Sequence, residues 1–301
     1  MTQIDFEKRA EAVKRRRSPH GRLIGLWIDD CEPGIAHTRV PYHPVFVGDT
    51  ATGVVHGGLV TTMIDESCGA AVQLSLQHPA AIATLDLRID YMQPAAPGKD
   101  IRARAHCYRV TRSIAFVRAI AYQDSEDNVI ASAAAAFMIG ANRTDMFGGR
   151  EPKVTYDMLP RLELPPGDPD HAFGASPYTR FLGIEARDDG TTVMPYDVRL
   201  TGNPMLPALH GGTIGTFLET TANVGVAREI GGAGQPKLVG LTINYLRSGR
   251  PVATWGSTKI VKQGRRVVAF ESRAWQSDPA APIATAYGHF LLRSDHSAEE
   301  A

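Results

Sequence analysis

Two copies of a His-Gly-Gly motif, His56-Gly57-Gly58 and His210-Gly211-Gly212, are the parts of this sequence best suited to chemistry. An acid follows nine residues after each histidine, Asp65 in the first copy and Glu219 in the second. A glycine pair that opens a helix leaves backbone N–H groups at the helix N-terminus, where they stabilise negative charge developing on a carbonyl oxygen. An acid in a mostly apolar helix is costly unless it is paired or functional, so its repetition favours function.

One helix cannot bring its own glycine and its own acid to the same substrate. Gly57 and Asp65 are eight residues apart, which corresponds to about 12 Å along a helix at about 1.5 Å per residue. An oxyanion donor and a general base must both lie within about 3 Å of the reacting atoms. We therefore predict two composite sites across antiparallel paired helices, each joining the glycine end of one copy to the acid of the other.

The motifs belong to a longer internal repeat. The same offset of 154 residues relates Pro41-Tyr42 to Pro195-Tyr196 and Ile89-Asp90-Tyr91 to Ile243-Asn244-Tyr245. Several matches in one order at one spacing indicate a duplicated domain of about 150 residues. The predicted organisation is an N-terminal helix (1–17), a first domain (18–141), a linker rich in Pro, Gly and charge (142–170), a second domain (171–295) and a tail (296–301).

Each copy shows the same order of elements. Helical periodicity predicts long helices from about Gly57 to Gln77 and from about Gly211 to Glu229. Alternating patterns then predict strands near residues 85–91, 101–107, 113–123 and 129–140, and again near 238–246, 254–262, 267–276 and 283–292. A long helix followed by consecutive antiparallel strands predicts an α+β fold in which the helix packs on one face of the sheet.

Composition excludes several classes of function. Lysine plus arginine and aspartate plus glutamate are equal, 32 each, so we expect no nucleic-acid partner. The N-terminus lacks the apolar core of a signal peptide and no apolar run reaches membrane length, so we expect no membrane association and a cytoplasmic location. Three cysteines at non-metal spacing predict no metal site.

The combined pattern resembles the hotdog-fold acyl-CoA thioesterases of the phenylacetate-pathway and 4-hydroxybenzoyl-CoA type. The resemblance rests on His-Gly-Gly-x6-Asp/Glu in both halves, on the stretch 84–95, and on 111–116 with its echo at 264–270. It implies two tandem hotdog domains forming a pseudo-dimer within one chain, acyl-CoA as substrate, and no cofactor besides the CoA carried by the substrate. It further implies that the acid is a general base or a nucleophile, and that the backbone N–H of Gly57 or Gly211 polarises the thioester carbonyl.

The resemblance also implies a Ser/Thr partner for the acid and an Asn shortly before the opposite histidine. The first site then combines Asp65 and Thr84 with Asn203, His210 and Gly211. The second site combines Glu219 with His56 and Gly57, but Leu238 and Asp49 replace the two helper residues. We therefore predict one strong and one weak or vestigial site. The remaining candidates for substrate binding are Gly58, Gly212, Arg112 and Arg265, the two arginines being either CoA-phosphate ligands or ordinary turn cations.

Two other functions stay open from the sequence. One is a dehydratase or hydratase acting on a 3-hydroxyacyl or enoyl thioester with the same fold, against which the His-Gly-Gly-x6-acid pattern argues. The other is a non-catalytic acyl-CoA-binding module, against which the acid retained in both halves argues. We also expect a homo-oligomer, a dimer or trimer of double-hotdog chains, because closed symmetric assembly is the usual state of soluble oligomers.

Overall fold

The computed structural model describes residues 3–140, 153–165, 175–205, 207–231 and 236–292. The predicted domain boundaries near 141 and 170 and the tail at 296–301 lie outside these residues. The predicted N-terminal helix is present as α1 (Gln3–Arg15). Within the described ranges, no helix has both the length and the apolar character needed to cross a membrane.

The two halves repeat one order of elements. The first half contains helices α2 (Pro19–Leu23) and α3 (Gly57–Ser75) and strands β1 (Trp27–Glu32), β2 (Ile35–Val40), β3 (Ile82–Tyr91), β4 (Ile101–Val110), β5 (Ile114–Tyr122) and β6 (Val129–Ile139). The second half contains helices α4 (Pro177–Phe181) and α5 (Gly211–Glu229) and strands β7 (Glu185–Ala186), β8 (Thr192–Met194), β9 (Lys237–Tyr245), β10 (Thr254–Gln263), β11 (Val267–Trp275) and β12 (Ala284–Leu291). Short 3-10 helices lie at Pro44–Phe46, Tyr156–Met158 and Val198–Leu200.

Both long helices begin at their glycine pair, as predicted. In each motif the histidine side chain caps the helix, because its Nδ1 accepts a hydrogen bond from the backbone N–H of the second glycine: His56 from Gly58 and His210 from Gly212, both at 2.9 Å. A side-chain acceptor at this position satisfies one of the free N–H groups of the first turn. The capping histidine and the glycine pair are therefore one structural unit.

All twelve strands form a single antiparallel sheet in the order β1-β2-β4-β5-β6-β3-β9-β12-β11-β10-β8-β7. The second half of this order is the mirror of the first, and β3 pairs with β9 where the halves meet. Arg88 lies opposite Thr242 at this seam, and the two residues are 154 positions apart, the same offset as the sequence repeat. The chain thus forms the predicted pseudo-dimer, with its pseudo-twofold axis passing between β3 and β9.

The helices α3 and α5 cross on the same axis. The hydroxyl groups of Thr62 and Thr216, which are equivalent residues, lie 3.3 Å apart, and the Thr216 hydroxyl donates to the Gly58 carbonyl at 2.9 Å. A Cβ at Gly58 would lie 2.5 Å from Thr216 Cγ2, and one at Gly212 would overlap the Thr62 Cα. The second glycine of each motif is therefore required by the near contact of two helix backbones.

The core lies between the helix pair and one face of the sheet. One side of α3 carries the buried residues Leu59, Met63, Ala70 and Leu74. Alternate side chains of β4 are buried as well: Ile101, Ala103, Ala105 and Cys107. This confirms the predicted packing of a long helix on an antiparallel sheet in each half. The sheet is shared, however, so the two domains have one continuous core.

We predict that Gly212→Ala destabilises the protein by about 1–3 kcal/mol, the usual cost of forcing an extra methyl group into a packed contact. The matched control is Gly69→Ala within α3, where the added Cβ would meet only Ile82 and Phe137 at 3.6 and 4.0 Å. That variant should gain about 0.5–1 kcal/mol from improved helix propensity. Urea unfolding measures both, and a Gly212→Ala protein as stable as Gly69→Ala would contradict the proposed crossing.

Candidate active site

Asp65 lies in the middle of α3 and faces the N-terminus of α5. Its Oδ2 accepts a hydrogen bond from the Gly212 N–H at 3.0 Å, and its Oδ1 accepts one from the Thr84 hydroxyl at 2.9 Å. The Nδ1 of His210 lies 3.5 Å from Oδ2. The acid of the first half therefore meets the helix start of the second half, which is the crossed arrangement expected from the helix rise.

Two opposing influences set the ionisation of Asp65. Burial raises its pKa, because the carboxylate loses solvation; the residue is only 6% exposed. His210, the Thr84 hydroxyl and the Gly212 N–H all favour the charged form and work against this rise. A carboxylate held in this way is a stronger base than one in water and still has partners for its charge.

The first glycine of the motif sits directly against the acid. A Cβ on Gly211 would lie 2.6 Å from Asp65 Oδ2, so any side chain would displace the carboxylate. Gly211 is half-buried, whereas Gly212 is buried and its N–H is already engaged by Asp65 and His210. The structure therefore separates the pair: Gly211 borders the accessible part of the site, and Gly212 holds the acid. The role of Gly212 in substrate binding stays a prediction.

The second site has the same construction with different partners. Glu219 on α5 lies beside the start of α3, where a Cβ on Gly57 would be 2.6 Å from its Oε1. The Nδ1 of His56 is 3.8 Å from the same oxygen. Burial raises the pKa of Glu219 to about 7, and burial also lowers the pKa of His56 to about 4. Leu238 occupies the position equivalent to Thr84, so no hydroxyl comes from that strand residue.

Tyr91 is a partner of Glu219 that the sequence reasoning missed. Its hydroxyl donates to Glu219 Oε2 at 3.0 Å and also lies within hydrogen-bond distance of the Gly57 carbonyl, at 3.2 Å. The equivalent Tyr245 donates to the Gly211 carbonyl at 2.9 Å. The repeated Ile-x-Tyr pattern at the ends of β3 and β9 was the available signal. Each tyrosine therefore binds the helix start of its own half, and Tyr91 reaches the opposite acid as well.

Three predicted site residues have other surroundings. Asn203 is exposed, and its Oδ1 accepts a hydrogen bond from the Met205 N–H at 2.9 Å. At the equivalent position, Asp49 Oδ1 accepts one from the Ala51 N–H at 3.0 Å. These equivalent residues thus stabilise equivalent turns before the two motifs. Arg112 and Arg265 are exposed in the matching turns between β4 and β5 and between β10 and β11.

The family of the chain follows from sequence comparison. The profile of the Thioesterase superfamily matches residues 52–130 and again residues 206–283, together just over half of the chain. Each match begins before a His-Gly-Gly motif and includes the acid that follows it. The chain belongs to the thioesterase superfamily, and it carries two copies of the family domain.

Relatives of this chain have the length of one of its halves. A Halobacterium salinarum protein named for esterase activity is 33% identical over 134 residues, which are 42% of this chain and 87% of the relative. The medium/long-chain acyl-CoA thioesterase YigI of Escherichia coli K12 is 27% identical over 135 residues, 40% of this chain and 86% of that protein. Human acyl-coenzyme A thioesterase 13 is 36% identical over 66 residues, 22% of this chain and 46% of that enzyme.

Solved structures of double length share the fold. The TesB protein of Mycobacterium avium subspecies paratuberculosis superposes with a TM-score of 0.64 at 10% identity, covering 91% of this chain and 98% of its own. A hotdog-fold protein of Alicyclobacillus acidocaldarius gives a TM-score of 0.58 at 16% identity, with the same coverage of 91% and 98%. These similarities confirm the double-hotdog fold.

The raised pKa of Glu219 predicts a pH-dependent cost to stability. Below about pH 4.5 Glu219 is protonated in both the folded and the unfolded chain. Between about pH 4.5 and 7 the unfolded chain loses this proton and the folded chain keeps it, so wild-type stability falls as the pH rises. Glu219→Gln removes this dependence. Its stability relative to wild type should therefore increase by up to about 3 kcal/mol between pH 4.5 and 8, at about 1.4 kcal/mol per pH unit.

Urea unfolding of the two proteins across this pH range measures the difference, and the values at about pH 4 serve as the internal reference. Two stability profiles that run parallel from pH 4 to 8 would show that Glu219 does not titrate abnormally.

Proposed function

We propose that this protein hydrolyses acyl-CoA thioesters to a free acid and CoA, and that the Asp65 site performs most of the reaction. The observation that supports it is the position of the Asp65 carboxylate, which is hydrogen-bonded at the N-terminus of α5 and lies against Gly211. In this proposal one carbonyl group lies within reach of both a base, Asp65, and the Gly211 N–H at the helix N-terminus. The acyl-CoA thioesterases among the relatives point to the same substrate class.

The chemistry assigns a charge-stabilising role to the helix start. The thioester carbonyl oxygen would face the Gly211 N–H, where the dipole of α5 favours the negative charge that develops during attack. Asp65 would either take a proton from water as the water oxygen bonds to the carbonyl carbon, or attack that carbon itself. The C–S bond then breaks, and the CoA thiolate takes a proton, from Asp65 where water attacked or from solvent where Asp65 attacked. In the second case water then hydrolyses the mixed anhydride formed on Asp65, which releases the free acid and restores the carboxylate. Thr84 and His210 would keep the carboxylate oriented in both cases.

Glu219 is the weaker catalyst in this proposal. Burial raises the pKa of both acids, so ionisation does not separate the two sites, and the difference between them lies in the partners of the acids. Tyr91 donates a hydrogen bond to Glu219, whereas Thr84 donates to Asp65. Each carboxylate also accepts the N–H of the second glycine of the opposite motif, Gly212 for Asp65 and Gly58 for Glu219. The sites therefore differ in the strand residue beside the acid, Thr84 in the first and Leu238 at the equivalent position of the second. The two acids are therefore expected to contribute unequally.

We infer that the nucleotide part of CoA lies near the exposed Arg112. Arg112 lies in the β4–β5 turn, and the neighbouring Ser113 carbonyl accepts from Ile139 at 2.7 Å. Ile139 pairs with Ile82 at the beginning of β3, two residues before Thr84. Arg112 is thus at the sheet end that carries the Asp65 helper residue. A guanidinium group at that end suits the phosphates of CoA.

We expect Asp65→Asn to lower kcat/KM for acyl-CoA hydrolysis by about 10²- to 10⁴-fold, the range attributed to a general base. Glu219→Gln should lower it by less than about threefold. Thiol release from short-chain, long-chain and aromatic acyl-CoAs measures both, and the double variant should be inactive on all of them.

The opposite result, in which Glu219→Gln abolishes turnover and Asp65→Asn does not, would reverse the assignment of the two sites. Wild-type protein that binds acyl-CoA without releasing CoA would indicate a binding module. Hydration of an enoyl-CoA in place of thiol release would indicate the hydratase alternative.

A further inference from the structure

Glu66, the residue after Asp65, lies beside the same site with only 13% of its side chain exposed. Its Oε2 lies 2.6 Å from Nε2 of His210, and its Oε1 accepts from the backbone N–H of Ser18 at 2.9 Å. Both carboxylate oxygens are therefore engaged, one by the second half of the chain and one by the residue that caps α2. A carboxylate that is largely removed from water is stable only if its oxygens have hydrogen-bond partners, and Glu66 has one for each oxygen.

The hydrogen bonds of His210 define where its ring proton lies. The Gly212 N–H is shared between Nδ1 of His210 at 2.9 Å and Oδ2 of Asp65 at 3.0 Å, and a neutral ring with its proton on Nε2 suits both contacts. Nε2 faces the Glu66 carboxylate, and a carboxylate can accept the hydrogen bond from that proton. The ring is thus fixed between a donor on one side and a carboxylate on the other.

We propose that Glu66 is a positioning residue of the Asp65 site, which accepts the Nε2 proton of His210 and so keeps Nδ1 as the acceptor for Gly212. The role rests on the function proposed above. If the proton moved to Nδ1, it would face Asp65 Oδ2 at 3.5 Å and the Gly212 N–H together. Asp65 would then accept an additional hydrogen bond and become a poorer base, and α5 would lose its cap.

Three ionisable side chains surround the His210 ring. Asp65 and Glu66 face it from α3, and the ring of His20 on α2 packs on it with centroids 5.7 Å apart. Burial lowers the pKa of His210, but Glu66 and Asp65 raise it more, and the net direction is upward. His20 does not hold the His210 ring by a hydrogen bond: its Nδ1 donates to the Arg199 carbonyl at 2.6 Å, and its Nε2 has no hydrogen-bond partner among the described residues.

The second site has no carboxylate at the position of Glu66, so the two sites can be compared directly. The residue equivalent to Glu66 is Thr220, whose hydroxyl donates to the Thr216 carbonyl within its own helix at 2.8 Å. His56 packs on Tyr178, with ring centroids 5.6 Å apart, where His210 packs on His20. The carboxylate is therefore specific to the Asp65 site, and helix packing alone does not require it.

The test is Glu66→Gln in the full chain, with Thr220→Val as the matched control at the equivalent position of α5. A glutamine has one oxygen and one amino group, so it cannot accept from both Ser18 and His210. We expect kcat for acyl-CoA hydrolysis to fall about 10- to 100-fold, as for other orienting partners of histidines, with KM changed less than about threefold. Thr220→Val should leave both constants near wild type.

Histidine ¹⁵N NMR measures the tautomer of His210 directly, and the tautomer would not change if Glu66 only stabilised the fold. The His210 signals, assigned by their loss in His210→Gln, should report the Nε2–H tautomer in wild type and in Thr220→Val. In Glu66→Gln they should show a fraction of the Nδ1–H tautomer and a lower pKa. Glu66→Thr, which places the residue of the second site in the first, should give the same change and is available if Glu66→Gln does not fold.

Two results would overturn the positioning role while the proposed function stands: a Glu66→Gln enzyme with wild-type kcat, or a reduced kcat with the His210 tautomer unchanged. Absence of turnover by wild type on the whole acyl-CoA panel is a different failure, because it removes the proposed function and with it any role of Glu66 in that reaction.

Discussion

The antiparallel crossing of α3 and α5 is the constraint on which the rest of this structure depends. A helix rises about 1.5 Å per residue, so a glycine and an acid eight residues apart on one helix cannot serve one substrate. Crossing two such helices brings each acid to the other's first turn. The backbones must nearly touch, since Gly58 and Gly212 leave no space for a Cβ against Thr216 and Thr62. The continuous sheet follows from this: the pairing of β3 with β9 holds the two halves in the register that the crossing needs.

Burial of two carboxyl groups in this crossing is unfavourable, and the two halves offset the cost differently. Asp65 keeps partners that favour its charged form, namely Thr84, His210 and the Gly212 N–H. Glu219 has Tyr91 and the Gly58 N–H as partners, and burial raises its pKa to about 7. Burial raises the pKa of the acid in both halves. Because the folded chain then holds the proton to a higher pH than the unfolded chain, the buried Glu219 costs stability as the pH rises toward neutral, and its partners offset part of that cost.

The sequence predicted the elements well where a pattern recurs locally. The helix starts, the eight long strands and the crossed acids all follow from periodicity and spacing, and the structure has them within a few residues. It gave no signal for β1, whose stretch Trp27–Glu32 is largely polar and exposed, or for β8, which has only three residues. Glu66 and Tyr91 were missed for a different reason. Their partners, His210 and Glu219, are 144 and 128 residues away, and no local pattern indicates which buried side chain meets which across the two halves.

Duplication within one chain explains why the two sites differ. In a symmetric homodimer, isologous contacts make every substitution appear twice, so a change that improves one site alters the other equally. Fusion removes that restriction. Thr84 against Leu238 and Glu66 against Thr220 are both differences between equivalent positions, and in each the first-half residue carries the polar group that contacts Asp65 or the His210 ring. Each of these groups would need a partner of its own if it were buried in the second site as well, and an unpaired one costs about 1–3 kcal/mol. The second half instead places an apolar or self-bonded side chain there. The fused chain can thus concentrate polar groups at one crossing and use the other to stabilise the helix pair.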